Sequence, residues 1–146
     1  MNLRPARATD LYLFDQLSDP DDPDWVRQPA RFLVSVAWSW HLDGPGRYFM
    51  AAEIEGDLVG AIAYERQGAV WFINAICLFP EHRQHHHGPT LLTLVFDEMQ
   101  RLGPTISAVH WRRHTANEPM RAVGEAVGAT ELSTHGPYIT VAVPLA

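Results

Sequence analysis

The stretch "CLFPEHRQHHHGPTLLTLVFDEM", Cys77 to Met99, decides the reading of this chain. An apolar run of strand character ends at Pro80. A polar loop with three consecutive histidines follows, then Gly88-Pro89. Leu91, Leu92, Val95 and Met99 then recur at helical spacing. Strand, loop, glycine, helix is the order from which proteins build an anion cradle. A helix N-terminus presents unpaired N–H groups at the positive end of its dipole. A bent loop before it turns further N–H groups inward as a nest. Gly88 is expected to adopt a conformation closed to other residues and to let an anion oxygen approach. The imidazoles of His85, His86 and His87 either add hydrogen bonds, with positive charge once protonated, or face solvent. Three adjacent residues cannot converge on one ion, so no metal is expected.

Outward from this stretch, hydrophobic periodicity and turn residues give the order β-α-α-β-β-β-α-β-α-β-β. "NLRPA" (Asn2 to Ala6) reads as a strand. "ATDLYLFDQL" reads as a helix capped by Thr9 or Asp10, with Leu11, Phe14 and Leu17 on one face. The acidic loop Ser18 to Trp25 precedes a helix starting near Pro29, with Leu33, Val36, Ala37 and Trp40 aligned and Gly44-Pro45 as its stop. "RYFMAAEI" and "DLVGAIAYE" flank a hairpin at Glu55 to Asp57, and "RQG" turns into the run Ala69 to Phe79. The helix from Pro89 to about Arg101 stops at Gly103-Pro104. After the strand "TISAVHW", Asn117 caps a short helix stopped by Gly128, and two strands flank Gly136-Pro137. The single helical crossover makes its two flanking strands parallel. The expected fold is therefore one α+β domain, residues 1–146. It is a mostly antiparallel mixed sheet with one parallel pair and helices on both faces.

The 146 residues suffice for one core without staples. A formal net charge of -6 argues against nucleic-acid binding. A lone cysteine, Cys77, excludes an internal disulfide. "MNLRPARATD" shows no apolar leader and no run reaches membrane-spanning length, so a cytoplasmic protein is expected.

The element order, with "LRPARATD", "LFPEHRQHHHGPTLL" and "ANEPMRAVGEAVGA", resembles the GNAT superfamily of acyl-CoA-dependent N-acyltransferases. The resemblance spans nearly the whole chain. The family loop Arg/Gln-x-x-Gly-x-Gly/Ala places Arg83 first and Gly88 last, with His86 where the middle glycine stands. It implies that the backbone of Gln84 to Gly88 wraps the pyrophosphate of acetyl-CoA, beside Arg83, His85, His86, His87 and Asn117. It also implies that a backbone N–H at Cys77 or Leu78 polarises the thioester carbonyl. Asn74 stands where the family often has a carboxylate, and Gly124 where many members have a tyrosine acid. A glycine there suggests either room for a neighbouring group or a helix that ends early. Asn74, Tyr138 and Glu65 are the expected catalytic set, with Glu53, Tyr64, His110 and His114 as substitutes. The loop Asp19 to Asp24, with Trp38 and Trp40, falls where the family shapes its acceptor site, and its carboxylates suit a cationic acceptor.

The expected function is direct transfer of acetyl from acetyl-CoA to an amine of a small molecule or protein. The alternative is a degenerate member, with or without CoA, that acts by binding another protein. The expected partners are the amine acceptor and at most a second copy of the chain, with no nucleic acid and no membrane.

Overall fold

A computed structural model of the chain describes residues 1–43 and 46–145, without the side chains at 36–38 and 40–43. The expected apolar positions Val36, Ala37 and Trp40, the Trp38–Trp40 pair and the Gly44-Pro45 stop lie outside the described residues. The strands are β1 Asn2–Pro5, β2 Arg47–Ile54, β3 Asp57–Gln67, β4 Val70–Leu78, β5 Ala108–His114, β6 Thr130–His135 and β7 Tyr138–Pro144. The helices are α1 Leu11–Phe14, α2 Asp24–Asp43, α3 His87–Leu102 and α4 Glu118–Ala126, with 3-10 turns at Ala8–Asp10 and Pro80–His82. The element order agrees with the sequence reading. The strands form one seven-stranded sheet, ordered β1-β2-β3-β4-β5-β7-β6. Among the described residues only β4 and β5 run parallel.

Local chemistry accounts for the boundaries. Glu55 and Gly56 both hold positive φ (52° and 85°), the two-residue turn whose twist matches a hairpin. Asn117 caps α4 by accepting the Met120 N–H at 3.0 Å. The Gly103 N–H closes α3 on the Met99 carbonyl at 2.8 Å. Two expected boundaries need correction. The first helix is a 3-10 turn followed by the single turn α1, and its N-cap is Arg7, to which Asp10 reaches back from three residues on. The Asp10 carboxylate takes Arg4 in a fork at 2.7 and 2.8 Å and the Arg7 N–H at 2.7 Å. Second, α2 begins at Asp24 rather than near Pro29, because the Pro23 carbonyl accepts the N–H groups of Val26 and Arg27 at 2.9 and 3.1 Å. Pro29 sits inside this helix, where it removes one backbone bond.

Two cores lie on opposite faces of the sheet. Phe14, Leu17, Ala30 and Leu33 pack on one face against Phe49, Ala51, Ala61, Ala63, Ala75 and Cys77. Leu91, Leu92, Val95 and Met99 of α3 pack on the other against Ile62, Tyr64, Trp71, Ile73 and Trp111. β4 changes sides partway. Trp71 and Ile73 face α3, whereas Ala75 and Cys77 face α1 and α2. The cause is one extra residue, since Ala63 opposes Ala75 while Tyr64 opposes Ile73. Asn74 is that bulge. No helix among the described residues is long and apolar enough to cross a membrane.

Candidate active site

The bulge parts the parallel strands. β4 pairs with β5 only at Trp71–Val109, Phe72–His110 and Ile73–Trp111. It continues to pair with β3 as far as Leu78. The other edge of β4 is therefore open beyond Asn74, and Ile76, Cys77 and Leu78 border a cleft of about 710 Å³. Trp25, Val26 and Pro29 of α2 form one wall, and Asn117, Met120 and Val123 of α4 line another. The sequence reading missed the α2 wall because it placed Trp25 in a loop. Pro23 just before Asp24-Trp25 was the available helix-start signal.

Backbone alternation tells where the donors of this edge point. The Phe79 N–H bonds the Val59 carbonyl on β3 at 3.0 Å. The Cys77 N–H thus also turns toward β3, while those of Ile76 and Leu78 turn into the cleft. The Cys77 thiol is buried, and burial pushes its pKa up to about 12, so it is no nucleophile.

The loop ends in the expected helix start, which comes at His87 rather than Pro89. Pro89 lies in the first turn, where its missing N–H costs no helical bond. Gln84 and His86 hold left-handed φ values of 63° and 60°, and both border the cleft. His86 thus adopts the conformation that glycine takes most cheaply. Gly88 corrects the sequence reading, because it is not among the positive-φ glycines. It lies buried in α3, and a Cβ there would meet Val123 Cγ2 at 2.8 Å, so helix packing is what requires glycine. The His87 ring lies 6.1 Å from that of His82 and 6.0 Å from that of His85. Desolvation and these two neighbouring imidazoles lower the His87 pKa. His86 and His87 border the cleft. Among the described residues no cluster suits a metal ion.

Residues 10–129 match the profile of the Acetyltransferase (GNAT) family. The chain belongs to this family. PaiA N-acetyltransferase from Thermoplasma acidophilum, solved with coenzyme A, shares the fold with a TM-score of 0.77 at 16% identity, over 98% of each chain. The ribosomal-protein-S18-alanine N-acetyltransferase of Escherichia coli aligns with a TM-score of 0.70 at 15% identity, over 99% of this chain and 93% of that one. Spermidine N-acetyltransferase from Vibrio cholerae, solved with CoA and spermine, gives 0.71 at 12% identity, over 99% and 95%. No curated protein sequence matches the chain.

Around this GNAT cleft the residues expected to be catalytic sit outside its lining. Asn74 Nδ2 donates to Glu65 Oε1 at 3.0 Å, and Asn74 Oδ1 is buried without a partner among the described residues. Burial works to raise the Glu65 pKa, but hydrogen bonds from Asn74 and Gln67 and the charge of Arg47 outweigh it and hold it low. The Tyr138 hydroxyl donates to Gln28 Oε1 at 3.3 Å. His114 lies between Trp25, stacked at 6.5 Å, and Tyr138, edge-on at 5.5 Å. Its Nδ1 accepts the Ala116 N–H at 3.0 Å. Tyr64 is fully buried, and burial raises its pKa. Glu53 pairs with Arg4 at 3.1 Å. At Gly124 a Cβ would lie 3.4 Å from Ala129 Cβ and 3.6 Å from the Trp111 indole, which is ordinary contact, and a small cavity of about 110 Å³ lies beside it. Two of the acidic-loop carboxylates are matched by arginine, Asp24 by Arg27 and Asp22 by Arg83.

Proposed function

We propose that the chain transfers acetyl from acetyl-CoA to an amine of a small molecule or a protein by direct attack in a ternary complex. The observation that carries this reading is the open edge of β4 running into the N-terminus of α3 within one cleft. The donor set suits the cofactor. The Ile76 and Leu78 N–H groups offer an extended pantetheine arm the bonds that a neighbouring strand would make. The backbone of Gln84 to Gly88 faces a pyrophosphate with N–H groups and the positive end of the α3 dipole. When bound, acetyl-CoA supplies an acyl group activated as a thioester. A backbone N–H of this edge is the donor that polarises its carbonyl. Asn74, held by Glu65, fixes the bulge that opens this edge.

The test measures release of free CoA from acetyl-CoA against a panel of amines. Polyamines and peptides with N-terminal alanine come first, after the structurally similar enzymes. The basic residues number 11 and are all arginine, so no lysine of the enzyme competes as acceptor. Acceptor-dependent release with an acetylated product supports the proposal. CoA binding without release across the panel favours the non-catalytic reading.

A further inference from the structure

Arg83 opens the loop and borders the cleft, yet its guanidinium is taken up by partners within the protein. Nε donates to the Leu78 carbonyl at 3.2 Å, and Nη2 to the carbonyl of the buried Leu17 at 2.7 Å. Nη1 meets both Asp22 carboxylate oxygens at 3.4 Å. Asp22 Oδ2 in turn accepts the Asp19 N–H at 2.7 Å. One planar fork therefore joins three pieces of chain: the end of β4, the end of the α1 segment and the loop leading to α2. Two of these form opposite sides of the cleft, since Leu78 borders it on the strand and Asp22 and Pro23 on the α2 side.

We propose that Arg83 is a positioning residue that transmits cofactor binding at the β4 edge to the loop of residues 17–22, without holding phosphate itself. A ligand that orders Leu78 also orders the Arg83 fork bonded to its carbonyl. The fork then restrains Leu17 and Asp22, so the wall facing the acceptor tightens only once the cofactor is in place. Coupling of this kind needs a shared element that both sides bias, and the guanidinium is that element. Lysine cannot replace it, because an ammonium lacks the fixed fork that reaches two carbonyls and a carboxylate together.

This inference rests on the cofactor reading above, and amide hydrogen exchange with CoA as probe separates the two. In the wild type, CoA should slow exchange at residues 76–78 and also at 17–22. In Arg83→Gln it should still slow 76–78 but no longer 17–22, and Asp22→Asn should show the same split in a milder change. Arg83→Lys should restore only part of the protection at 17–22. Each variant is compared with and without CoA, so a general loss of stability cancels. Protection of both segments in Arg83→Gln, or its loss from both together, overturns the proposal. A wild type in which CoA protects neither segment overturns the cofactor reading instead.

Discussion

His86 holds a φ of 60°, a conformation that costs a residue bearing a Cβ about 1–2 kcal/mol. His86→Gly relieves this strain, less the extra freedom glycine gains in the unfolded chain. A net gain of about 0.5–1 kcal/mol is expected, seen as a melting temperature roughly 2–4 °C higher by calorimetry. A lower melting temperature would mean that the imidazole contributes contacts worth more than the strain. Two residues on, Gly88 has the opposite character. Gly88→Ala drives a Cβ toward Val123 Cγ2 at 2.8 Å and should destabilise by about 1–3 kcal/mol. Val123→Ala in the same chain should recover most of that loss. Denaturant titration of the two single variants and the double variant reads the coupling, and additive losses would show that the two side chains do not meet.

The N-terminus of α3 gathers imidazoles where charge is unwelcome in the free protein. The folded pKa of His87 lies below its ordinary value of 6.5, so the folded state disfavours the proton. Stability contributed by neutral His87 is complete above 6.5 and is lost as pH falls from there through the lower folded value. The groups acting on this ring are His82, His85, His86 and the N-terminal amine. A bound pyrophosphate reverses the preference and raises the imidazole pKa. CoA should therefore stabilise the wild type more at pH 6 than at pH 8, relative to a His85/His86/His87 triple alanine variant. The gap should widen by about 0.5–1 kcal/mol. The variant cancels titration of CoA's own phosphate, and a gap that stays constant with pH would place the rings in solvent.

Much at this scale was legible beforehand. The run Cys77 to Met99 announces strand, loop and helix, and Glu55-Gly56 announces its hairpin. What stayed hidden depends on partners distant in the chain. Even at six residues' separation, no spacing rule shows that Arg4 takes the Asp10 carboxylate. Nothing near Gly88 shows Val123, and nothing near Arg83 shows Leu17 and Asp22. The bulge at Asn74 has no local mark either, because the apolar run continues through it while the faces exchange.

Across the whole molecule, acid sensitivity should come first from carboxylates held below their ordinary pKa. Burial works to raise the Asp10 pKa, and Arg4 with the Arg7 N–H overcomes it. Glu65 is held low in the same sense. Their stabilisation is complete above the ordinary values of 3.8 and 4.5 and is lost as pH falls through the lower folded ones. Asp10→Asn should cost about 1–3 kcal/mol at pH 7, with the difference from wild type shrinking toward pH 3. Thermal melts across this range check it, and a difference independent of pH would show that the charge of Asp10 is not what matters.

The parted strands have a further consequence, for solubility. The β4 edge from Asn74 to Leu78 is a strand edge without a neighbour, the feature through which sheets recruit foreign chains. The cofactor's extended arm would occupy it as a surrogate strand, so the sheet is complete only in the loaded protein. Stripped of cofactor, the molecule carries a short template for self-association. Three features guard it: its few residues, the Pro80 that ends it, and the α2 wall of Trp25, Val26 and Pro29 beside it. On the proposed binding mode, supply of the cofactor would protect the fold from association, and preparations depleted of it should be the ones that aggregate on storage.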